Sequence, residues 1–133
     1  MARRSKWVVV IDDDEGIRDA VSELLTDEGY RVDSFKTAEE ALAGFSNGTS
    51  PDLILLDYLI PMMGAERFVK ELDALEVAAP ILLVTAANRA HIDTGVLRIA
   101  GLVQKPFGIG TFLEQVAAAA GRRDDSDKGD SNP

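Results

Sequence analysis

The sequence predicts an α/β protein in which a doubly wound parallel sheet of five strands carries helices on both faces. Short aliphatic runs alternate five times with segments whose apolar residues recur at helical spacing. The aliphatic runs lack polar alternation, which is typical of strands buried on both faces. Strands that alternate with helices form parallel sheets, because each helix serves as the crossover between two strands.

The first two strands and helices follow from local signals. The β-branched run Trp7–Ile11 predicts a buried strand. A helix follows, with Asp14 as its N-cap and Gly29 at its C-terminal end. Residues 30–35 alternate apolar with polar side chains, which indicates a strand near the sheet edge. Thr37, with a glutamate three residues later, forms a capping box at the start of the second helix.

The central strand is the aliphatic run Leu53–Leu56, which ends on Asp57. Pro51 and Pro61 bound this segment, and four aliphatic residues in succession indicate burial on both faces. A third helix follows the second proline. Its apolar face consists of Phe68, Leu72 and Leu75.

Two further strands complete the predicted sheet. Residues 80–84 form the fourth strand, which ends on Thr85, and residues 102–104 form a short fifth strand, which ends on Lys105. Between them, residues 88–100 should hold a fourth helix, but an Asp-Thr-Gly sequence interrupts its apolar pattern. We therefore predict that the fourth helix is weak.

The last helix spans residues 109–120, and Gly121 should end it. Residues 122–133 contain no apolar side chain and are rich in Asp, Ser, Gly and Lys, so we predict a disordered polar tail. Residues 1–121 should then form one folded domain.

The composition limits the chemistry that is available. With 133 residues, the chain has the size of one domain with its own core. A formal charge of -9 argues against direct contact with nucleic acid or an anionic membrane, since both need a positive surface. No cysteine and one histidine exclude disulfides, thiolate chemistry and multi-histidine metal sites.

The N-terminal residues predict a cytoplasmic location. Basic residues near the start resemble the beginning of a signal peptide, but the apolar run after them ends at Ile11, which is too short for export. No stretch approaches the roughly 20 apolar residues that a membrane span requires.

Asp57 has two interpretations. An aspartate is common before a turn and would need no further role. Alternatively, ligands of open parallel sheets bind outside the carboxyl ends of the strands, which is where Asp57 would lie.

Five polar side chains should meet at that edge of the sheet, namely Asp12, Asp13, Asp57, Thr85 and Lys105. Clustered carboxylates repel one another, so a cation with oxygen ligands, such as Mg²⁺, is the expected partner. The cation in turn attracts a phosphoryl group. Phosphoryl transfer needs an in-line nucleophile and neutralisation of the phosphoryl oxygens, which an ammonium and a hydroxyl can share. Asp57 is the best candidate nucleophile.

These residues form four motifs that resemble those of the receiver domain of two-component response regulators. Asp12 and Asp13 form an acidic pair after an aliphatic strand, and Asp57 closes the next buried run with a proline four residues on. Thr85 precedes an alanine, and Lys105 begins a Lys-Pro-Phe sequence. The resemblance spans about residues 7 to 120 and implies a flavodoxin-like sheet with strand order 2-1-3-4-5.

The resemblance implies a Mg²⁺ site, with Mn²⁺ as an alternative ion. By this resemblance Asp13, Asp57 and the Leu59 carbonyl hold the metal, and Asp12 assists through a water molecule. The resemblance also implies that Asp57 accepts the phosphoryl group from a phosphohistidine. The donor would be a sensor histidine kinase or a histidine phosphotransfer protein.

The same resemblance assigns Thr85 and Lys105 to the phosphoryl oxygens and predicts a cis peptide bond before Pro106. A receiver domain catalyses only its own phosphorylation and slow dephosphorylation. We expect a single-domain protein, a monomer or a weak phosphorylation-dependent homodimer, which signals by contact with a downstream protein.

The sequence also departs from the family pattern. Leu102 lies where the family usually has an aromatic switch residue, and Gly64 comes one residue early in the loop after the acceptor. The span from Thr85 to Lys105 is short. We therefore expect an unusual output face, which the family builds from the fourth helix, the fifth strand and the fifth helix.

Two other functions stay open at this stage. The Asp12-Asp13-Asp14 sequence resembles the nucleophile motif of haloacid-dehalogenase-type phosphatases, in which Asp12 would be the nucleophile. That family also needs an acidic pair after Lys105 and a cap domain, and it would leave Asp57 without a role. A docking module that never carries phosphate would make the acceptor residues superfluous.

Overall fold

A computed structural model of the chain describes residues 5–45, 50–60, 62–87, 92, 94–97 and 99–131. It contains one five-stranded sheet with strand order β2-β1-β3-β4-β5, and every pair of neighbouring strands is parallel. The predicted fold class and strand order are confirmed. The strands are β1 (Trp7–Ile11), β2 (Arg31–Phe35), β3 (Leu53–Leu56), β4 (Ile81–Thr85) and β5 (Ile99–Gln104). The helices are α1 (Glu15–Asp27), α2 (Ala38–Gly44), α3 (Ala65–Ala74), α4 (Thr94–Leu97) and α5 (Ile109–Ser131).

The core lies on both faces of the sheet. Successive side chains of a strand point to opposite faces, so each buried strand contributes to two clusters. One cluster contains Val9, Ile54 and Phe68, and the other contains Val8 and Phe112. The aliphatic runs that predicted burial on both faces are therefore explained by helices on both sides of the sheet.

The predicted helix caps are present in the structure. The Asp14 carboxylate accepts a hydrogen bond from the backbone N–H of Ile17 at 3.1 Å, and the Thr37 hydroxyl accepts one from Glu40 at 3.1 Å. The Glu40 carboxylate accepts from the N–H of Lys36 at 3.2 Å, one residue before the cap. These bonds satisfy backbone donors that a helix start leaves unpaired.

The fourth helix and the fifth strand lie on the least regular side of the fold. The described part of the fourth helix is α4 (Thr94–Leu97), and residues 88–91, 93 and 98 of the predicted segment lie outside the described residues, so its weakness stays a prediction. The fifth strand begins at Ile99, three residues earlier than predicted. A register shift near Leu82 places Gly101 beside it, and a Cβ at Gly101 would lie 3.0 Å from Leu82 Cδ1. Pairing with β4 extends this strand beyond its aliphatic centre.

The end of the last helix was predicted wrongly. Helix α5 continues through Gly121 to Ser131. Glycine costs a helix only about 1 kcal/mol relative to alanine and keeps its backbone N–H, so it does not force a helix to stop. A domain boundary at residue 121 and a separate tail over residues 122–133 stay predictions.

Among the described residues, no helix combines the length and the apolar character that crossing a membrane requires.

Candidate functional site

Four parallel strands bring the predicted site residues to one edge of the sheet. The N–H of Asp57 donates to the carbonyl of Ile11 at 3.1 Å, so the ends of β3 and β1 are adjacent. The N–H of Lys105 donates to the carbonyl of Thr85 at 2.9 Å, which joins the ends of β5 and β4 in the same way. The carboxyl ends of all four strands therefore open onto a common site.

The acidic residues converge as the sequence predicts. Carboxylate oxygens of Asp12, Asp13 and Asp57 lie within 4.8 Å of one another. Asp12 and Asp57 are only 4% and 8% exposed, whereas Asp13 is open to solvent. Three carboxylates at this spacing offer the hard oxygen ligands that Mg²⁺ prefers, with an open side for water or a phosphate oxygen. The donor set therefore fits a magnesium ion.

Asp12 is held from three directions. One carboxylate oxygen accepts a hydrogen bond from the Asp14 N–H at 2.9 Å, and the other accepts from the Lys105 ammonium at 2.8 Å. The Arg18 guanidinium donates to the Asp12 backbone carbonyl at 2.8 Å. Arg18 was not among the predicted site residues, although a basic residue one turn into a helix that starts at an acidic site is a signal that could have indicated it.

Lys105 joins the two buried carboxylates. Its Nζ lies 2.8 Å from Asp12 Oδ2 and 3.4 Å from Asp57 Oδ2. Partial burial lowers the pKa of the Lys105 ammonium, but the hydrogen bond to Asp12 and the charges of Asp57 and Asp12 together outweigh that effect. The pKa is raised above its ordinary value, so the lysine is a cation at neutral pH. The peptide bond between Lys105 and Pro106 is cis, as the resemblance predicts.

Thr85 is fully buried at the end of β4, and its hydroxyl faces the loop that follows. The hydroxyl accepts a hydrogen bond from the N–H of Ala87 at 3.1 Å. The carbonyl of Ala87 in turn accepts a hydrogen bond from the Gln104 side chain at 3.1 Å. Gln104 was missed by sequence analysis, because it contacts a loop that is 17 residues away in sequence. Leu102 is half-buried and packs against the core.

The loop after β3 supplies a backbone donor to the site. The N–H of Leu59 donates to Asp57 Oδ1 at 3.0 Å, while the Leu59 side chain is 58% exposed. The loop ends at Gly64, which is the N-cap of α3 and has φ of 80°. Coordination of a metal by the Leu59 carbonyl stays a prediction, and Pro61 lies outside the described residues.

A groove of about 430 Å³ lies next to the site. The apolar residues of α1 form one wall, and the segment from Lys105 to Phe107 forms the other. Lys105 thus lines the groove and also contacts both buried carboxylates.

Comparisons with known proteins give consistent results for sequence and shape. The family model described as "Response regulator receiver domain" matches residues 8–117. Response regulator MprA of Mycobacterium sp. (strain KMS) is 29% identical over 133 residues, which cover 95% of this chain and 55% of the relative. The chain thus spans about half the length of the curated relatives that it matches.

Solved structures share the architecture. Chemotaxis protein CheY4 of Vibrio cholerae is 28% identical, with a TM-score of 0.76 over 87% of this chain and 99% of that one. A CheY-like response regulator receiver domain protein of Methanospirillum hungatei JF-1 is 24% identical. It superimposes with a TM-score of 0.81 over 92% of this chain and 99% of that one, a likeness that concerns the fold.

Proposed function

The chain belongs to the response regulator receiver domain family, and on that premise we propose that it accepts a phosphoryl group on Asp57 from a phosphohistidine. The observation that supports this assignment most strongly is the position of Lys105, whose ammonium contacts both Asp12 and Asp57 at the end of four parallel strands. An isolated turn aspartate would need neither a lysine partner nor a second buried carboxylate.

The reaction is an in-line displacement at phosphorus. A carboxylate oxygen of Asp57 forms a bond to phosphorus, the bond from phosphorus to the donor imidazole nitrogen breaks, and its electron pair stays on the imidazole. Lys105 neutralises charge on the phosphoryl oxygens, and Thr85 contributes a hydroxyl hydrogen bond. The Leu59 N–H, which donates to Asp57 Oδ1 at 3.0 Å, orients the nucleophile. The imidazole leaves as a neutral ring because its second nitrogen carries a proton, and Asp57 itself transfers no proton because it attacks as a carboxylate.

The acidic cluster would hold the metal that this reaction requires. Asp13 and Asp57, with the Leu59 carbonyl, would bind Mg²⁺, and Asp12 would assist through water. Mn²⁺ is the alternative ion. When it is bound, the cation neutralises phosphoryl oxygens and offsets the repulsion between a phosphate and three carboxylates. The domain is regulatory, and we propose that it catalyses only its own phosphorylation and slow dephosphorylation.

The phosphodonor is a sensor histidine kinase or a histidine phosphotransfer protein in this proposal. The groove beside the site has an apolar wall on α1 and ends at Lys105, so a helix of the donor can pack there and present its phosphohistidine to Asp57. The phosphorylated domain then contacts a downstream protein in the cytoplasm. The domain is a monomer or a weak phosphorylation-dependent homodimer, and its charge of -9 opposes direct binding to nucleic acid.

A phosphorylation assay with small donors tests the proposal. The wild type, Asp57→Asn and Asp12→Asn are treated with acetyl phosphate or a beryllium fluoride complex in the presence of Mg²⁺, and the adduct is located by mass spectrometry. We expect an adduct in the wild type, none in Asp57→Asn, and a slower reaction at Asp57 in Asp12→Asn. An adduct on Asp12 with release of many phosphates would instead support a phosphatase, and no adduct would support a docking module.

A further inference from the structure

The loop between Asp57 and α3 is tied to that helix by a hydrogen bond between two side chains. The Tyr58 hydroxyl donates to Glu66 Oε2 at 2.9 Å. We propose that Tyr58 and Glu66 are a positioning pair that holds the Leu59 peptide against Asp57. This inference rests on the proposed function, because it assigns to the pair a role in placing the acceptor and its metal.

The hydrogen bond between Tyr58 and Glu66 joins groups that form strong hydrogen bonds. A phenol that donates to a carboxylate forms a charge-assisted bond, which is stronger than a bond between neutral groups. The Tyr58 ring is half-buried and packs against the core, so few rotamers are open to it. Glu66 lies in the first turn of α3, where the helix dipole stabilises a negative charge. The N-cap of that helix, Gly64, provides no side-chain cap.

Leu59 needs anchors on both sides because its own side chain provides none. That side chain is 58% exposed, yet the Leu59 N–H must stay 3.0 Å from Asp57 Oδ1. Ile60 anchors the loop on one side, since it is only 6% exposed in the core. Tyr58 anchors it on the other side. The Leu59 peptide is therefore fixed by its two neighbours.

Another residue of the loop, Met62, has an unfavourable backbone conformation. Met62 has φ of 67°, a left-handed conformation that is unfavourable for a residue other than glycine, and its side chain is 78% exposed. Burial of Met62 therefore does not compensate for its backbone conformation. Loss of the Tyr58 hydroxyl would remove the hydrogen bond that ties this part of the loop to α3 and would let the Leu59 peptide move away from Asp57.

Amide hydrogen exchange and Mg²⁺ titration of the unphosphorylated protein test this pair. In Tyr58→Phe, exchange of the Leu59 amide in metal-free protein should accelerate about tenfold, the size expected for loss of one hydrogen bond to a charged group. The dissociation constant for Mg²⁺, measured by calorimetry, should rise about threefold to tenfold. Glu66→Ala should change Leu59 exchange and the Mg²⁺ dissociation constant as much as Tyr58→Phe does. In Glu66→Gln both quantities should stay within about twofold of the wild type, because the amide oxygen can still accept the hydrogen bond.

The second tyrosine of the chain provides the matched control. Tyr30 precedes β2 at the opposite end of the sheet, so Tyr30→Phe removes a hydroxyl without altering the loop and should change neither quantity. The double variant of Tyr58→Phe and Glu66→Ala should be no worse than either single variant, because each removes the same bond. Fully additive effects, or a lower melting temperature with unchanged Leu59 exchange and Mg²⁺ affinity, would overturn the proposal.

These readouts separate this inference from the proposed function. Leu59 exchange in metal-free protein requires neither a phosphoryl donor nor a metal. If Asp57 accepts no phosphoryl group but Leu59 exchange still depends on Tyr58, the positioning pair stands and the proposed function fails. If Asp57 is phosphorylated and Leu59 exchange is unaffected, the positioning pair fails alone.

Discussion

The two halves of the functional edge are built differently. In the first half, Asp12 and Asp57 are buried at the ends of β1 and β3, and Lys105 contacts both of them from the end of β5. At the ends of β4 and β5, Thr85 and Gln104 instead hold the Ala87 peptide of the following loop. We infer that Asp12, Asp57 and Lys105 of the first half carry most of the chemistry, to which Thr85 adds its hydroxyl from the second half.

The two halves also differ in the regularity of the strands that carry them. Strands β1 and β3 are regular, and the residues that follow them are fixed by backbone and carboxylate hydrogen bonds. The other half contains a register shift in the pairing of β4 with β5, and it has Leu102 at the usual aromatic position. Substitutions of Asp12, Asp57 and Lys105 in the first half should therefore change rates and affinities by large factors, and substitution of Gln104 in the second half by small ones.

The largest effect after loss of the acceptor should come from Lys105→Met. Removal of one group that stabilises transition-state charge typically costs about 100- to 1,000-fold in rate, and the Lys105 ammonium contacts both buried carboxylates. The rate of Asp57 phosphorylation by acetyl phosphate measures the loss. Lys70→Met, on the exposed face of α3, is the matched control and should react at the wild-type rate. Equal rates for all three proteins would place the chemistry elsewhere.

Asp13→Asn should mainly affect the metal. Loss of a group that only supports a metal ligand typically costs about 10- to 100-fold in affinity, so loss of a direct ligand should weaken Mg²⁺ binding at least about tenfold. The matched control is Asp14→Asn, because asparagine caps a helix as well as aspartate does. Calorimetric titration compares the two. A larger loss of affinity in Asp14→Asn would show that the ligands have been assigned incorrectly.

Gln104→Glu should have a smaller effect in the second half of the site. The carboxylate cannot donate to the Ala87 carbonyl, and the lost bond is exposed, so unfolding free energy should fall by about 1 kcal/mol or less. Exchange of the Ala87 amide should accelerate several-fold, while phosphorylation of Asp57 should change by less than about threefold. Gln104→Lys keeps a donor and should restore slow exchange. A loss of phosphorylation as large as in Lys105→Met would erase the distinction between the two halves.

The smallest effect concerns stability at high pH. The folded-state pKa of Lys105 lies above its ordinary value of 10.5, so its contribution to stability is complete below about pH 10.5 and is lost as the pH rises through the folded pKa. Burial and the charge of Glu28 also raise the pKa of Tyr30. The unfolding free energy therefore falls at this residue too as the pH rises. Urea unfolding measures the unfolding free energy between about pH 9 and pH 12. Over this range the unfolding free energy should fall less in Lys105→Met and in Tyr30→Phe than in the wild type. An unchanged loss in Lys105→Met would contradict the raised pKa.

The sequence was most informative where a feature depends on neighbours in the chain. Strand ends, helix caps and the convergence of Asp12, Asp57 and Lys105 follow from local patterns and from the geometry of parallel sheets. These patterns determine which residues reach the edge.

Features that depend on distant pairing were not predicted. The early start of β5 depends on its pairing with β4, and the contact of Gln104 with Ala87 joins residues 17 apart in sequence. The bond from Tyr58 to Glu66 depends on the path of a loop with two residues at positive φ. The continuation of α5 beyond Gly121 shows that a single glycine is a weak stop signal.

The central claim is that Asp57 is the phosphoryl acceptor. Reduction of the acyl phosphate with borohydride after treatment with acetyl phosphate and Mg²⁺ marks the modified aspartate, and peptide mapping by mass spectrometry locates it. We predict that the mark lies on Asp57 alone, that it requires Mg²⁺ and that it is absent from Lys105→Met at the same reaction time. A mark on Asp12 or Asp13, or an unmarked Asp57 in protein that binds Mg²⁺, would contradict the claim.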